Sequence, residues 1–211
     1  MEIHYFKSLP STQKHLIKAL KEGSIHAPIA VISAEQNEGV GSRDNSWFGG
    51  EGNFFASLAL ELDMLPEDLP LGSASIYFSF IMKQTLESLG ENIWLKWPND
   101  FYLNDDKVGG TITTKVNNTI VCGIGINLKK SQNGYRALQC DISPEILLKN
   151  YLQRVEKFPK WKQIFSEYEI EFKLSRKFSV HIENYQKSLS DARLCEDGSL
   201  IIEGKRVFSL R

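Results

Sequence analysis

The chain has 211 residues, 42% of them hydrophobic, and its 25 Lys and Arg nearly balance its 26 Asp and Glu. This length buries one substantial core with room for a small appendage, and the balanced charge excludes a basic field that would recruit nucleic acid. The first ten residues include Glu2, His4 and Lys7, so they lack the apolar core of a signal peptide, and no later run is long enough to span a bilayer. Three widely separated cysteines indicate reduced thiols. We expect a cytoplasmic protein with no nucleic acid or membrane partner.

The first half of the chain contains patterns of both helix and strand. The predicted elements are a helix over 11–23, a strand over 27–34, a strand over 54–62 and a buried helix over 72–89. Ser11 has the side chain of a helix N-cap, and Gly90 is a suitable helix stop. Residues 36–53 are rich in glycine and polar side chains, which predicts one long irregular loop, and loops of this length are usually functional or disordered.

The second half is predicted to supply the rest of a sheet and a small terminal unit. The predicted strands are 93–97, 107–116, 119–128, 178–183, 192–195, 200–203 and 207–210, and the predicted helices are 144–155 and 160–174. Asn117 and Asn118 form a hairpin turn, and the Asp197-Gly198 turn favours a small terminal barrel. We therefore expect an α+β domain over residues 1–174 and a small β domain over residues 175–211.

The predicted loop combines residue types that bind anions and flat rings. Gly39 and Gly41 let the backbone approach an anion, Arg43 can pair with phosphate in two hydrogen bonds, and Trp47 can stack on a ring. A glycine-rich surface loop with a buried tryptophan is also common, so this loop alone is weak evidence.

A second motif is Trp94-Leu95-Lys96-Trp97-Pro98-Asn99-Asp100, in which Pro98 interrupts a strand pattern. Asn99 and Asp100 after the proline are compatible with a plain turn. Tryptophans on both sides of Lys96 indicate instead a packed lysine stem with an aimed ammonium group. The two interpretations have similar weight.

Two further motifs place single features on strands. Lys107 precedes the pair Gly109-Gly110, where its ammonium group can balance a carboxylate and a developing phosphoryl charge, or can be an ordinary solvated hairpin residue. The run from Gly123 to Asn127 puts glycines inside a strand, which weakens it unless something approaches the backbone closely. The run is not a dinucleotide fingerprint, because the third glycine and the following helix are missing.

In this order, the four motifs resemble those of the biotin protein ligases. Lys96-Trp97-Pro98-Asn99-Asp100 matches the family's most specific signature, Lys107 and Gly110 follow at the family's spacing, and Gly-Ile-Gly-Ile-Asn ends at Asn127. The resemblance implies a class II synthetase-like catalytic domain, in which helices cover one side of a mixed or antiparallel sheet. It also implies a C-terminal SH3-like β-barrel.

The resemblance also implies a set of site residues, matched position by position. Lys107, Arg43 and Asp100 are the expected catalytic residues. The expected biotin-binding residues are Ser11, Thr12, Gln13, Gln36, Val40, Gly41, Ser42, Lys107 and Gly110. The expected ATP-binding residues are Arg43, Trp47, Asn99, Lys107, Asn127 and Arg211. Asp100 is equally a candidate base, a group that orients Asn99, or a ligand of Mg²⁺, which otherwise arrives with ATP and is not fixed by the protein alone.

One region departs from the family pattern. The family's loop usually reads Gly-Arg-Gly-Arg-x-Gly-Arg-x-Trp, whereas Val40 and Ser42 occupy the first two arginine positions here, Asp44 replaces a glycine and Asn45 the third arginine. Because those arginines order the loop over the bound intermediate, we expect weaker retention of biotinyl-AMP or a compensating role for Arg43.

The resemblance implies an enzyme that activates biotin with ATP and Mg²⁺ to biotinyl-5'-AMP and transfers biotin to a lysine of a biotin carboxyl carrier protein, a subunit of acetyl-CoA carboxylase. Larger members carry an N-terminal DNA-binding domain, which we do not expect here because the catalytic pattern begins within the first dozen residues. Monomer and homodimer are both compatible with the sequence. The alternatives are a lipoate or octanoyl ligase, against which the Lys-Trp-Pro-Asn-Asp run argues, a catalytically inactive biotin-binding or carrier-binding module, and a structural protein.

Overall fold

The computed structural model describes residues 1–41, 46–49, 52–129, 136–182 and 185–208, with only the backbone described for 46–49. The helices are α1 (Thr12–Lys21), α2 (Ala74–Glu87), α3 (Pro144–Val155) and α4 (Trp161–Glu171). The strands of the main sheet are β1 (Glu2–Leu9), β2 (Ile29–Val40), β3 (Ser46–Gly49), β4 (Phe54–Glu61), β5 (Ile93–Lys96), β6 (Asp100–Leu103), β7 (Asp106–Val116) and β8 (Thr119–Ile126). Short strands follow: β9 (Ser179–Ile182), β10 (Tyr185–Ser188), β11 (Arg193–Leu194), β12 (Leu200–Ile202) and β13 (Lys205–Val207).

The central feature is one mixed sheet with the strand order β1-β2-β4-β8-β7-β6-β5, to which β3 adds by pairing with β2. β1 runs parallel to β2, and the other described pairs are antiparallel. Because parallel neighbours need a crossover, α1 connects β1 to β2. The expected mixed sheet is thus confirmed.

The two faces of the sheet bury two separate hydrophobic clusters, as the alternation of side chains along strands requires. Ala30 and Ile32 face the larger cluster, which includes buried residues of α2, α3 and α4. Ile29 and Val31 face the smaller one, together with Leu16 of α1. The expectation that all helices lie on one side is therefore wrong for α1. This helix buries its apolar stripe against the opposite face of the sheet, in the smaller cluster.

The predicted N-cap of the first helix is confirmed, and α3 has a cap of the same kind. The Ser11 hydroxyl accepts a hydrogen bond from the Lys14 N–H at 3.3 Å, and Ser143 caps α3 in the same way through the Ile146 N–H at 3.3 Å. The predicted helix over 160–174 is α4 followed by a 3₁₀ segment, Phe172–Lys177.

The predicted long loop over 36–53 is wrong for much of its described part. β2 continues without interruption to Val40, and the backbone of β3 pairs with it, Gln36 opposite Gly49 and Val40 opposite Ser46. A polar, glycine-rich composition suits a strand when a neighbouring strand satisfies its backbone groups and one face borders a cavity.

Besides β3, two strands of the sheet have no counterpart in the prediction. β1 has a mostly exposed or half-exposed pattern that gives no strong apolar signal, because it is an edge strand. β6 begins at Asp100, immediately after the polar turn, and pairs with both β5 and β7.

The C-terminal region contains two small antiparallel sheets, β9 with β10 and β11-β12-β13. Val180, Leu189 and Leu200 from this region are buried in the same cluster as α2 and α4. The coarser expectation of a C-terminal β region is confirmed, and its closure into a barrel stays a prediction. In the part of the chain that the structure describes, no helix has the length and apolar composition to cross a membrane.

Candidate active site

An open cavity lies where the C-terminal end of β2, the N-terminus of α1 and the middle of β7 and β8 meet. The predicted site residues that line it are Ser11, Thr12, Gln13, Gln36, Val40, Gly41, Asn99, Asp100, Lys107 and Gly110. Thr111, Ile112, Gly123, Ile124 and Gly125 complete the described lining. Residues separated by more than a hundred positions along the chain therefore share one cavity.

One end of the cavity is built from hydroxyl and amide groups. The backbone N–H and the hydroxyl of Thr12 both donate to Gln36 Oε1, at 2.9 and 3.3 Å. The Ser57 hydroxyl donates to Thr12 Oγ1 at 2.9 Å. All three side chains are buried, so the chain of hydrogen bonds fixes their orientation. This end, which we call the amide end, presents uncharged hydrogen-bonding groups.

Gln13 adds an open acceptor to the amide end. Its Nε2 donates to Thr114 Oγ1 and to the Val121 carbonyl, each at 3.4 Å. Its Oε1 is buried and accepts from no donor among the described residues. A buried amide oxygen is costly to leave unsatisfied, so this atom suits a ligand N–H.

Gly123 in β8 forms the floor under Gln13. A Cβ atom at this position would lie 2.5 Å from Gln13 Oε1 and 3.2 Å from Ser57 Oγ. Both distances are shorter than ordinary contacts, so glycine is required for the Gln13 amide to lie where it does.

The opposite end of the cavity, which we call the charged end, carries an ion pair. Lys107 Nζ lies 2.6 Å from Asp100 Oδ1, with the two side chains 39% and 21% exposed. The bulge between β6 and β7, where Tyr102 pairs with Lys107 and Asp100 with Gly110, brings these residues together. The ammonium group is thus held by a partly buried carboxylate within the cavity lining.

Asn99 joins the turn before β6 to β7. Its Nδ2 donates to the Thr111 carbonyl, and the Thr111 N–H donates back to the Asn99 carbonyl at 3.0 Å. Asn99 is therefore held on two sides next to Asp100. The interpretation of this segment as a plain solvated turn does not fit a buried Asn99.

Two aromatic rings lie near Lys96, the β5 residue that pairs with Asp100 of β6. Its Nζ lies 5.7 Å from the centre of the Tyr102 ring and 5.6 Å from that of Phe178. Burial, together with the negative charge of Asp100, raises the pKa of Tyr102 to about 12, so its hydroxyl stays neutral at physiological pH. The predicted packed lysine is confirmed, and Lys96 is not among the cavity-lining residues.

The remaining predicted residues lie elsewhere or outside the described residues. Asn127 is not part of the cavity lining, and its Nδ2 donates to the Arg136 carbonyl at 3.2 Å. Ser42, Arg43, Arg211 and the side chain of Trp47 lie outside the described residues. In the described ranges, no group of three or more His, Cys, Asp or Glu side chains forms a metal site.

The sequence prediction left five lining residues out of the site: Thr111, Ile112, Gly123, Ile124 and Gly125. A signal for Gly123 and Gly125 was present, since glycine inside a strand indicates close approach by another group. The other three line the cavity through neighbouring positions on β7 and β8, and nothing in their residue types distinguishes them from core residues.

Comparison with known proteins gives the family. The model of the biotin/lipoate A/B protein ligase family matches residues 5–131. The chain therefore belongs to the biotin/lipoate A/B protein ligase family.

Individual relatives agree with this assignment. The structure of a biotin acetyl coenzyme A carboxylase synthetase from Helicobacter pylori, with bound biotinylated ATP, is 39% identical, with a TM-score of 0.94, and covers 98% of this chain and 99% of that chain. The bifunctional ligase/repressor BirA of Escherichia coli is 32% identical over 127 residues, 57% of this chain. The chain spans 38% of the length of this curated relative. A biotin protein ligase from Aquifex aeolicus, in complex with biotin and ATP, shares the fold with a TM-score of 0.77 at 22% identity.

Proposed function

We propose that this chain is an ATP-dependent, AMP-forming biotin protein ligase, which activates biotin to biotinyl-5'-AMP and transfers biotin to a lysine of a biotin carboxyl carrier protein. The observation that carries the proposal is the cavity, whose amide end suits an uncharged ring and whose charged end suits a carboxylate and a phosphate. The Helicobacter pylori relative with bound biotinylated ATP supports the same ligand pair.

The amide end provides oriented acceptors for the N–H groups of a cyclic urea. Such a ring has two N–H donors and one carbonyl acceptor, and Gln13 Oε1 is an unsatisfied acceptor beside the cavity floor. The Thr12 hydroxyl, held between Ser57 and Gln36, provides a second oriented polar group. Because these protein side chains are already held in place, they lose little conformational entropy when a ligand binds.

The first reaction joins two anions, the carboxylate of biotin and the α-phosphate of ATP. The carboxylate oxygen forms a bond to the α-phosphorus while pyrophosphate leaves, so negative charge accumulates on oxygens between the reactants. Lys107 is the described cation at this end, and we assign to it the offset of that charge. Arg43, Trp47, Asn127 and Arg211 remain proposed nucleotide contacts from the family resemblance.

In the second reaction a carrier lysine attacks the mixed anhydride and AMP leaves. A free lysine has a pKa of about 10.4 and is almost fully protonated at neutral pH, so a base must accept its proton. Asp100 lines the cavity and is our candidate. Its 2.6 Å contact with Lys107 supports a second role, in which it orients that ammonium group.

Mg²⁺ enters the proposal with ATP. Carboxylate oxygens are the donors that Mg²⁺ prefers, and Asp100 offers one carboxylate at the charged end. One carboxylate does not hold the ion alone, which fits delivery of the metal as the ATP complex, where it neutralises phosphate charge. We further propose that residues 175–211 form a small C-terminal domain with an SH3-like barrel.

Turnover with an acceptor tests the function. The purified protein is incubated with biotin, MgATP and the apo carrier domain of an acetyl-CoA carboxylase, and pyrophosphate release and carrier mass are followed. We expect biotin-dependent turnover and a mass gain of one biotin. Pyrophosphate release without carrier modification would mean that the carrier is wrong. Biotin binding without turnover would favour a binding module, and turnover with lipoate instead of biotin would favour the lipoate branch of the family.

Asp100→Asn tests whether Asp100 is the base. If Asp100 is the base, this variant forms biotinyl-AMP at a normal rate in a single turnover and fails in transfer to the carrier. A loss confined to the adenylation half-reaction would exclude the base and leave the orientation of Lys107 or a contact with the Mg²⁺ of ATP as the role of Asp100.

A further inference from the structure

A tight turn in the C-terminal region is held by side chains from three distant elements. The turn joins β11 to β12, and three consecutive carbonyl groups in it each accept a side-chain hydrogen bond. Trp161 Nε1 donates to the Glu196 carbonyl at 2.9 Å, Ser73 Oγ to the Asp197 carbonyl at 2.5 Å, and Trp97 Nε1 to the Gly198 carbonyl at 2.9 Å. We call residues 196–198 the anchored turn.

The anchored turn also has backbone hydrogen bonds of its own, which close it locally. The Gly198 N–H donates to the Cys195 carbonyl, and the Cys195 N–H to the Ser199 carbonyl, both at 2.8 Å. Gly198 has a φ of +78°, and a Cβ atom there would lie 2.3 Å from Ser73 Oγ. Glycine is therefore required both by the backbone conformation and by the approach of α2.

Trp97 connects this turn to the cavity. Its side chain is 1% exposed, and its backbone N–H donates to Ser175 Oγ at 3.0 Å. Asn99 and Asp100, which line the cavity, follow it after a single intervening residue, Pro98. The C-terminal region thus holds both the indole and the backbone of the residue from which the cavity segment starts.

We propose that Trp97 is a positioning residue, through which the anchored turn fixes Asn99 against Thr111 and Asp100 against Lys107. The effect of this arrangement belongs to the charged end alone, because Thr12, Gln13 and Gln36 have no contact with it in the interactions described. The inference deepens the proposed ligase function and rests on it for its kinetic arm.

The two tryptophans that hold the turn provide a matched pair of variants. Trp97→Phe and Trp161→Phe each remove one indole N–H from a carbonyl of the same turn, and each leaves an aromatic ring in the core. Only Trp97 adjoins the cavity segment. We expect both to lower the melting temperature by similar amounts, and only Trp97→Phe to lower kcat, by about 10- to 100-fold, with KM for biotin changed less than about 2-fold.

A further variant and a structural measurement test the proposal if Trp97→Phe does not fold. Ser175→Ala removes the acceptor for the Trp97 N–H and replaces Trp97→Phe if that variant does not fold. In all folded variants, ¹⁵N–¹H spectra of the whole protein report the amide resonances of Asn99 and Asp100. We expect these resonances to move in Trp97→Phe or Ser175→Ala and to stay in place in Trp161→Phe.

The proposal is overturned if Trp97→Phe and Trp161→Phe have equal kcat, or if the Asn99 and Asp100 resonances respond equally in both. A wild-type protein without turnover would instead refute the proposed ligase function, and the resonances would still decide whether Trp97 positions the cavity segment.

Discussion

The two ends of the cavity differ in how their groups are held. At the amide end, Thr12, Gln36 and Ser57 are buried and satisfy one another, so the end is rigid before a ligand arrives. At the charged end, Lys107 and Asp100 are partly exposed and are held from behind, through the turn that contains Asn99. The difference separates recognition from chemistry, since ring binding needs fixed neutral partners and the reaction needs a charge that can meet phosphate.

The largest effect is expected at the charged end, from Lys107→Ala. Without this ammonium group, the charge that accumulates between carboxylate and phosphate is not offset, and we expect kcat to fall by about 10²- to 10³-fold with a much smaller change in biotin affinity. Biotin-dependent pyrophosphate release measures the first quantity, and calorimetric titration the second. Lys115→Ala, an exposed lysine on the same strand, is the control and should retain wild-type turnover. Equal losses in both variants would contradict a specific role for Lys107.

The next effect is expected at the amide end, from Gly123→Ala. The added Cβ displaces the Gln13 amide, because it would lie 2.5 Å from Gln13 Oε1. Loss of the proposed hydrogen bond from a biotin N–H to Gln13 Oε1 corresponds to about 1–3 kcal/mol. We therefore expect the Kd for biotin to rise about 10- to 100-fold.

Gln13→Asn provides the compensation test for this prediction. The shorter side chain withdraws from the new methyl group, so the double variant should bind biotin better than the product of the two single effects predicts. Additive effects in the double variant would mean that Gly123 acts independently of Gln13.

A smaller effect is expected from Thr12→Val, which keeps the shape of the side chain and removes its hydroxyl. The Ser57 hydroxyl loses its acceptor and Gln36 Oε1 loses one of its two donors. We expect KM for biotin to rise by about 3- to 10-fold with kcat nearly unchanged, as the loss of about 1 kcal/mol implies. Thr12→Ser, which restores the hydroxyl, should return KM to the wild-type range; a kcat loss in Thr12→Val that exceeds its KM change would break the separation of the two ends.

The smallest effect concerns stability and comes from Asp197 in the anchored turn. Burial by itself would raise the pKa of Asp197, but hydrogen bonds from Ser199 and the charge of Arg206 outweigh it and hold the pKa below its usual 3.8. The carboxylate therefore stabilises the folded protein above pH 3.8, and this contribution is lost as the pH falls through the lower folded pKa. We expect Asp197→Asn to cost about 1 kcal/mol at pH 7, because the carboxylate is partly screened by solvent.

Urea unfolding at pH 7 and at pH 2.5 measures this contribution. The difference between wild type and Asp197→Asn should shrink at the lower pH. Asp191→Asn, which changes a nearby exposed carboxylate, is the control. A difference that is equal at both pH values would show that Asp197 acts through packing and not through its charge.

The sequence predicted helices better than the strands at the edge of the sheet. α3 was predicted with its observed bounds, because the apolar periodicity of a helix is a local signal. β1 and the extension of β2 were missed, because neither has a strong apolar pattern and their stability comes from ladders to strands that are distant in sequence.

The site shows the same division between local and distant causes. The ordered motifs resemble those of the biotin protein ligases, and this resemblance identified Lys107, Asp100, Gln36 and the Ser11–Gln13 segment as parts of one site. No property of the sequence indicated that Lys107 pairs with Asp100, because that contact depends on a bulge between β6 and β7.

The sequence by itself determined most of the cavity lining, through four motifs whose order resembles that of the biotin protein ligases. The tertiary structure alone decided which cavity residues contact one another and that the anchored turn supports Trp97. Thr12 and Gln36 are 24 residues apart, and Trp97 and Gly198 are 101 apart. Hydrogen bonds over such separations form only after the packing of the sheet and helices has fixed the orientation of each partner, and that orientation has no local signal in the chain.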